Sequence, residues 1–352
     1  MTKNRKNYLD YLRVFAAFAV IIIHVSSQNL HLTEVGSINW NIFKAYLMAS
    51  NWAVPVFCMI SGSLFLSKDI DIKTIVTKYI FRIALAFVGW SLFYALVFEL
   101  KNGWDSVAAS FVRGYSHLWF LYMIAGLYLV TPILRHVAKD VKLLRYFIVL
   151  GFITSILIPE VLEIIGVVSS KSGGYLSGAY SSIDAKVVSG YAVYYMLGYY
   201  LDMIEIKRKQ IVKLFMAGIA LYIVPVVILI LYASHFKMEL AFLTGNFAVG
   251  DFFRSVTIFL LAKYYVHENN KETRVGRILR FVGYHTFTLY LVHQFVITML
   301  NRLLGLNTFT FATVLSVPAI GVISFLISIA IAVVLDNIWN KVIALIIKKQ
   351  YC

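Results

Sequence analysis

The chain is 352 residues long, 61% hydrophobic and only 14% charged, whereas a soluble domain is typically about half apolar and a quarter charged. With a mean hydropathy of +0.80, that composition excludes an ordinary soluble protein and predicts an integral membrane protein of many spans. The net charge of +15 would suggest nucleic acid in a soluble chain; here it reflects orientation, because Lys and Arg collect in cytoplasmic loops, so the expected surroundings are membrane lipids and not nucleic acid.

The first apolar run falls near 11–28. No small-residue cleavage site follows it, so it reads as a span and not as a signal peptide. Asp10 and Arg13 stand where the run begins, and His24 stands near its far end. Eleven helical residues turn through about 1100°, roughly 20° beyond three full turns, so Arg13 and His24 share a face about 16 Å apart along the axis. Ionisable groups inside a span are costly and mark a functional site by default.

Nine more candidate spans fall near 46–66, 79–99, 116–134, 145–164, 189–205, 211–232, 248–266, 283–304 and 312–338. In the second, Pro55 invites a kink, and Ser61, Gly62 and Ser63 allow another helix to come close. Cys58 in that span reads as packing; with Cys352 as the other cysteine there is no disulfide framework. The third opens with Lys78 and Arg82, four apart on one face. They read either as interfacial snorkelling or as a pair that grips phosphates. The fourth opens Ser116-His117-Leu118-Trp119-Phe120-Leu121-Tyr122, where Trp119 and Tyr122 suit an aromatic belt and His117 reads as interfacial. Residues 165–188, rich in Gly and Ser, read as a flexible connector or as a lid over an outer site. Asp251 and Arg254 in the eighth span are three apart and suited to pair. The ninth carries His285, then Tyr290 one turn before a deeper His293.

Loop charges orient the chain. With the amino terminus, carrying Lys3, Arg5 and Lys6, in the cytoplasm, alternate loops hold Lys68, Lys73 and Lys78; Arg135, Lys139, Lys142 and Arg145; Lys207, Arg208, Lys209 and Lys213; and Lys263, Lys271, Arg274, Arg277 and Arg280, and the tail holds Lys341, Lys348 and Lys349. The opposite side holds only Lys44, Lys101, Arg113, Lys171, Lys186, Lys237 and Arg302. That bias predicts both termini in the cytoplasm, Arg13 near the inner face and His24 nearer the outside. No repeat, coiled coil, metal-ligand spacing or appended soluble domain is evident. The expectation is one all-α transmembrane domain over 1–352, a bundle of about ten helices, with a homo-oligomer left open.

These residues resemble membrane-bound acyltransferase family 3. The most specific part is Leu9-Asp10-Tyr11-Leu12-Arg13 followed after ten residues by His24. Val54-Pro55-Val56-Phe57-Cys58-Met59-Ile60-Ser61-Gly62 is similar to the family's second span, and Leu118-Trp119-Phe120-Leu121 and Tyr290-Leu291-Val292-His293 match recurring patterns. One departure lies in the third span, where the family often carries two arginines three apart and then a proline. Here Tyr79 takes the first place, beside Lys78, Arg82 takes the second, and the proline is missing.

The resemblance implies a ten-span protein of the bacterial cell membrane that takes an acyl group, commonly acetyl, from cytoplasmic acyl-CoA, with no bound cofactor, and delivers it to a surface or lipid-linked carbohydrate hydroxyl. On that expectation Arg13, Lys78 and Arg82 bind the phosphates of coenzyme A, since guanidinium forks suit phosphate. Neutral His24 acts as general base on the acceptor hydroxyl, with a transient acyl-imidazole as the variant. Asp10 orients Arg13, and Arg254, Tyr290, His293, Trp119 and Tyr122 bind acceptor or steady the oxyanion. The competing reading is a proton-coupled carrier or flippase of a cell-envelope glycan precursor; a third is a regulatory module on the same scaffold.

Overall fold

Long apolar runs with few breakers fold as helices wherever no water is present to satisfy an open backbone, and among the described residues every regular element is helical. The computed structural model describes residues 6–182, 190–268 and 273–350, with side chains to 341 in the last helix. Lys3, Arg5, Lys186, Lys271 and Cys352 lie outside the described residues, as do the side chains of Lys348 and Lys349. In chain order the α-helices are α1 (Asn7–Gln28), α2 (Ile38–Ser50), α3 (Ala53–Phe65), α4 (Ile72–Thr74), α5 (Phe81–Glu99), α6 (Trp104–Arg113), α7 (Trp119–Lys139), α8 (Val141–Phe152), α9 (Ile158–Val168), α10 (Ser170–Ser181), α11 (Tyr191–Met203), α12 (Arg208–Phe236), α13 (Val249–Glu268), α14 (Arg274–Leu304) and α15 (Thr313–Gln350).

Among the described residues eight helical stretches are long and apolar enough to cross a membrane: Asn7–Leu32, Ile38–Phe65, Ile72–Asn102, Trp104–Lys139, Val141–Val168, Arg208–Phe236, Arg274–Leu304 and Thr313–Lys341. The chain is a multi-pass membrane protein. Over the two remaining expected spans, 189–205 and 248–266, the described residues are helical but fall short of that length or apolarity. α11 has 13 residues, about 20 Å of helix against a hydrocarbon core of about 30 Å; Val193, Tyr194, Tyr195, Met196, Leu197, Gly198 and Leu201 on it are all buried. α13 has 20 residues but carries Asp251 and Arg254. A helix wrapped by protein is free of the apolar requirement that lipid imposes.

Three local features bear on these expectations. Within the stretch Ile38–Phe65 the helix is interrupted at Asn51 and Trp52, four and three residues before Pro55, where a proline disrupts a helix, so α2 ends at Ser50 and α3 begins at Ala53. Over 170–181 the Gly/Ser-rich connector is helix α10, started by Ser169, whose hydroxyl accepts from the Ser172 amide; residues 183–189 lie outside the described residues. The segment Ile75–Ile80 is a π-helical turn, so Lys78 and Arg82 are not spaced on an unbroken α-helix. Such turns recur at functional sites. Just before it, Asp71 caps α4 and is held below the usual carboxylate range by its hydrogen bonds with Thr74.

The chain packs as two compact units. The first comprises 1–53, 222–240 and 261–352; the second comprises 54–221 and 241–260. In the first, α14 runs parallel to α1, with Gly283 against the Asp10 backbone and His293 beside His24. α15 runs antiparallel to α1, with Gly321 against Ile22 and Phe325 edge-on to Phe18 at 5.7 Å. Lys44 ties α2 to Glu239 at 2.5 Å, and Asn29 Nδ2 donates to Thr308 at 2.9 Å.

In the second unit, α3 and α11 cross at a pair of glycines. A Cβ on Gly62 would lie 1.7 Å from the Tyr195 carbonyl oxygen, and one on Gly198 would lie 2.1 Å from that of Met59. Buried Arg135 closes the end of α3, donating to the carbonyls of Ile70 at 2.9 Å and Phe65 at 3.4 Å. Its carboxylate neighbour Asp69, at 3.4 Å, is fully exposed and adds little in water. Arg135→Leu should therefore lower stability by about 1–3 kcal/mol through orphaned carbonyls, whereas Asp69→Asn should leave it nearly unchanged; thermal unfolding in detergent separates the two.

Candidate active site

The α1 register places its polar residues as their spacing requires. Arg13 Nη1 donates to Asp10 Oδ1 at 3.0 Å. The Asp10 side chain is only 6% exposed and that of Arg13 is 30% exposed. The carboxylate is thus fixed inside the unit, while the guanidinium keeps further donors of its fork turned outward. Between Arg13 and His24 the same face carries Ala17 and Val20, both buried. Ser324 and Ser328 are buried on α15, and their hydroxyls have no hydrogen-bond partner among the described residues. From the α1–α15 register they sit at levels between Arg13 and His24.

His24 meets His293. The ring centroids are 5.0 Å apart and the planes are inclined by 46°. His293 is fully buried, and its Nδ1 stands 2.5 Å from the Tyr290 carbonyl oxygen. A carbonyl only accepts, so Nδ1 carries the proton; in the neutral ring Nε2 is then the basic nitrogen. The Tyr290 ring stands 5.7 Å from that of His293. Next along α14, Gln294 Oε1 is buried without a partner among the described residues, as is Ser26 Oγ on α1. One imidazole is therefore oriented by a backbone carbonyl, and a second lies against it. A neutral imidazole with one nitrogen held and the other basic is chemically able to accept a proton.

A family model described as an acyltransferase domain, that of acyltransferase family 3, matches residues 6–333. The chain belongs to that family. No curated protein and no solved structure matches it. The family makes this chain a membrane acyltransferase and disfavours the carrier reading.

Within this acyltransferase-3 chain, Asp10, Arg13, His24, Tyr290 and His293 all fall in the first unit, and the structure joins them as two groups on α1 and α14. Lys78, Arg82, Trp119, Tyr122 and Arg254 belong to the second. Lys78 is exposed, with its ammonium 5.8 Å from the Tyr79 ring centroid. Tyr79, where the family carries arginine, packs edge-on against Phe65 at 4.8 Å. Arg82 is exposed at the start of α5. Arg254 forms a buried ion pair with Asp251, while Glu160 accepts from the Val249 amide at 2.5 Å and satisfies the start of α13. Trp119 and Tyr122 line one cavity. Among the described residues no cluster of His, Cys, Asp and Glu is placed to hold a metal ion.

One group of the first unit is missing from the sequence reading. His285 Nδ1 stands 2.5 Å from Asp336 Oδ2, and the Thr288 hydroxyl donates to Asp336 Oδ1 at 2.5 Å. The available signal is a carboxylate near the end of an apolar run; Asp336 passes for a span boundary because it lies two residues from the expected end at 338.

Proposed function

We propose that this acyltransferase moves an acyl group, commonly acetyl, from cytoplasmic acyl-CoA to a hydroxyl of an extracytoplasmic or lipid-linked sugar in the bacterial cell membrane. The observation that carries the reading is the His24–His293 pair: His293 of α14 lies against His24 of α1, the helix that also bears the Asp10–Arg13 pair. His24 takes the proton of the acceptor hydroxyl as its oxygen attacks the thioester carbonyl carbon. The tetrahedral intermediate collapses, the carbon–sulfur bond breaks, and the leaving thiolate takes that proton back from the imidazolium. Tyr290 and His293 steady the developing oxyanion and the imidazolium. Arg13 binds a phosphate of coenzyme A through the donors that Asp10 does not use; Lys78 and Arg82, exposed on the second unit, are cations suited to phosphate in their own right. Arg254, paired with Asp251 within the second unit, is a candidate contact for the acceptor.

The test separates donor binding from chemistry. Arg13→Gln keeps a donor for Asp10 and removes the cationic fork. It should raise the KM for acyl-CoA by roughly 10- to 100-fold, the worth of a hydrogen bond to a charged group, with kcat nearly unchanged. An unchanged KM would remove Arg13 from the donor site.

A further inference from the structure

The second unit holds a cavity of about 630 Å³, within the usual size of a small-molecule site, about 300–1,000 Å³. Three elements build it: the end of α5 supplies Glu99, the end of α6 and the turn after it supply Arg113, Tyr115 and Ser116, and the start of α7 supplies Trp119 and Tyr122. The turn depends on Gly114, which lines the cavity at φ +75°; a Cβ there would also lie 2.8 Å from the Phe87 ring. The Ser91 hydroxyl donates to the Phe111 carbonyl at 2.6 Å and pins α6 to α5.

The aromatic wall is held before any ligand arrives. Tyr115 is stacked on Tyr94 at 4.5 Å with planes 17° apart. Tyr122 lies 4.5 Å from Phe87 and Trp119 lies 5.7 Å from Tyr191. Each ring rests against another ring, while Trp119 is 41% and Tyr122 53% exposed. Rigid rings with an open face bind at low entropic cost. Glu99 is also set, accepting from Asn102 Nδ2 at 2.8 Å. Arg113 is exposed and has no carboxylate partner among the described residues.

An aromatic belt facing lipid would explain two rings, but not a carboxylate and a guanidinium lining the same cavity. A saccharide meets all four features. Its C–H face carries partial positive charge and seats on an electron-rich ring; its hydroxyls donate to Glu99 and Ser116; and a carboxylate or phosphate substituent fits the Arg113 fork. We infer that this cavity binds a saccharide bearing an anionic substituent. The inference goes beyond the proposed function: it concerns binding by the second unit and does not rest on the chemistry assigned to His24.

The test is titration calorimetry on the full chain in nanodiscs of zwitterionic lipid. The probes are a glucuronate-containing tetrasaccharide, the same tetrasaccharide with its carboxylates reduced, and glycerol phosphate as a ringless headgroup mimic. Saturable binding of the acidic tetrasaccharide is expected. Trp119→Ala should weaken it about 10-fold, as loss of an aromatic contact does, and Arg113→Gln should abolish the preference for the acidic over the reduced form. Arg113 is exposed, so that variant folds even if Trp119→Ala does not. Glycerol phosphate binding as tightly as the saccharide, or no saccharide binding by the wild type, would overturn the inference. Saccharide binding without acyl transfer would leave this site standing and sink the proposed function; transfer without saccharide binding would do the reverse.

Discussion

Replacing His24 with alanine is expected to lower acyl transfer by about 10²- to 10⁴-fold, the usual contribution of a positioned general base, while acyl-CoA still binds. The hydroxyl of a sugar is a poor nucleophile until its proton has somewhere to go. On the proposed mechanism His24 receives it, against a His293 ring whose tautomer the Tyr290 carbonyl selects. Because His24 is half-buried, alanine leaves room that a small molecule can fill. Added imidazole should restore part of the rate in His24→Ala and none in Arg13→Gln. Turnover in the variant within a factor of two of the wild type would remove His24 from the chemistry, and rate loss without any imidazole rescue would point to a structural role.

The second large effect is structural. Gly198→Ala and Gly62→Ala should each leave little folded protein, and the double variant should be no worse than the more damaging single one. A new methyl at either position meets backbone, 2.1 Å from the Met59 oxygen or 1.7 Å from that of Tyr195, and backbone cannot turn aside as a side chain can. Overpacking a core costs about 1–3 kcal/mol when neighbours can adjust; here the relief is to push α3 and α11 apart, which opens the contacts of both. The two residues guard one crossing, so their effects should not add. Thermal unfolding and monodisperse yield in detergent measure this, with Gly89→Ala as the control, since a Cβ there meets nothing within 4 Å. A Gly198→Ala protein as stable as that control would mean the helices do not approach so closely.

Local spacing made part of this readable from the residues alone. Arg13, Asp10 and His24 fall where helical geometry puts them because three- and eleven-residue offsets depend on nothing outside α1. That His293 lies against His24 is a long-range pairing, and the sequence suggests it only through two deep histidines in separate spans and the family resemblance. Pairs such as Gly62 with Gly198 and His285 with Asp336 leave no local mark, since each half looks ordinary in its own helix. Pro55 is legible for the same local reason as α1: the break at Asn51 and Trp52 lies four and three residues before it, where its missing N–H and its ring act. α10 escapes because glycine and serine disfavour an isolated helix, and packing against α9, with Gly173 on Gly166, outweighs that preference. α11 and α13 show the limit of hydropathy, which reports what a helix shows to lipid and not whether protein encloses it.

The most direct measurement incubates the purified wild-type protein with acetyl-CoA and a saccharide, following released thiol and the mass of the saccharide together. The account predicts thiol release that depends on the saccharide, with one acetyl added per thiol freed. Thiol release that ignores the saccharide and leaves its mass unchanged, or no release at all, would contradict it.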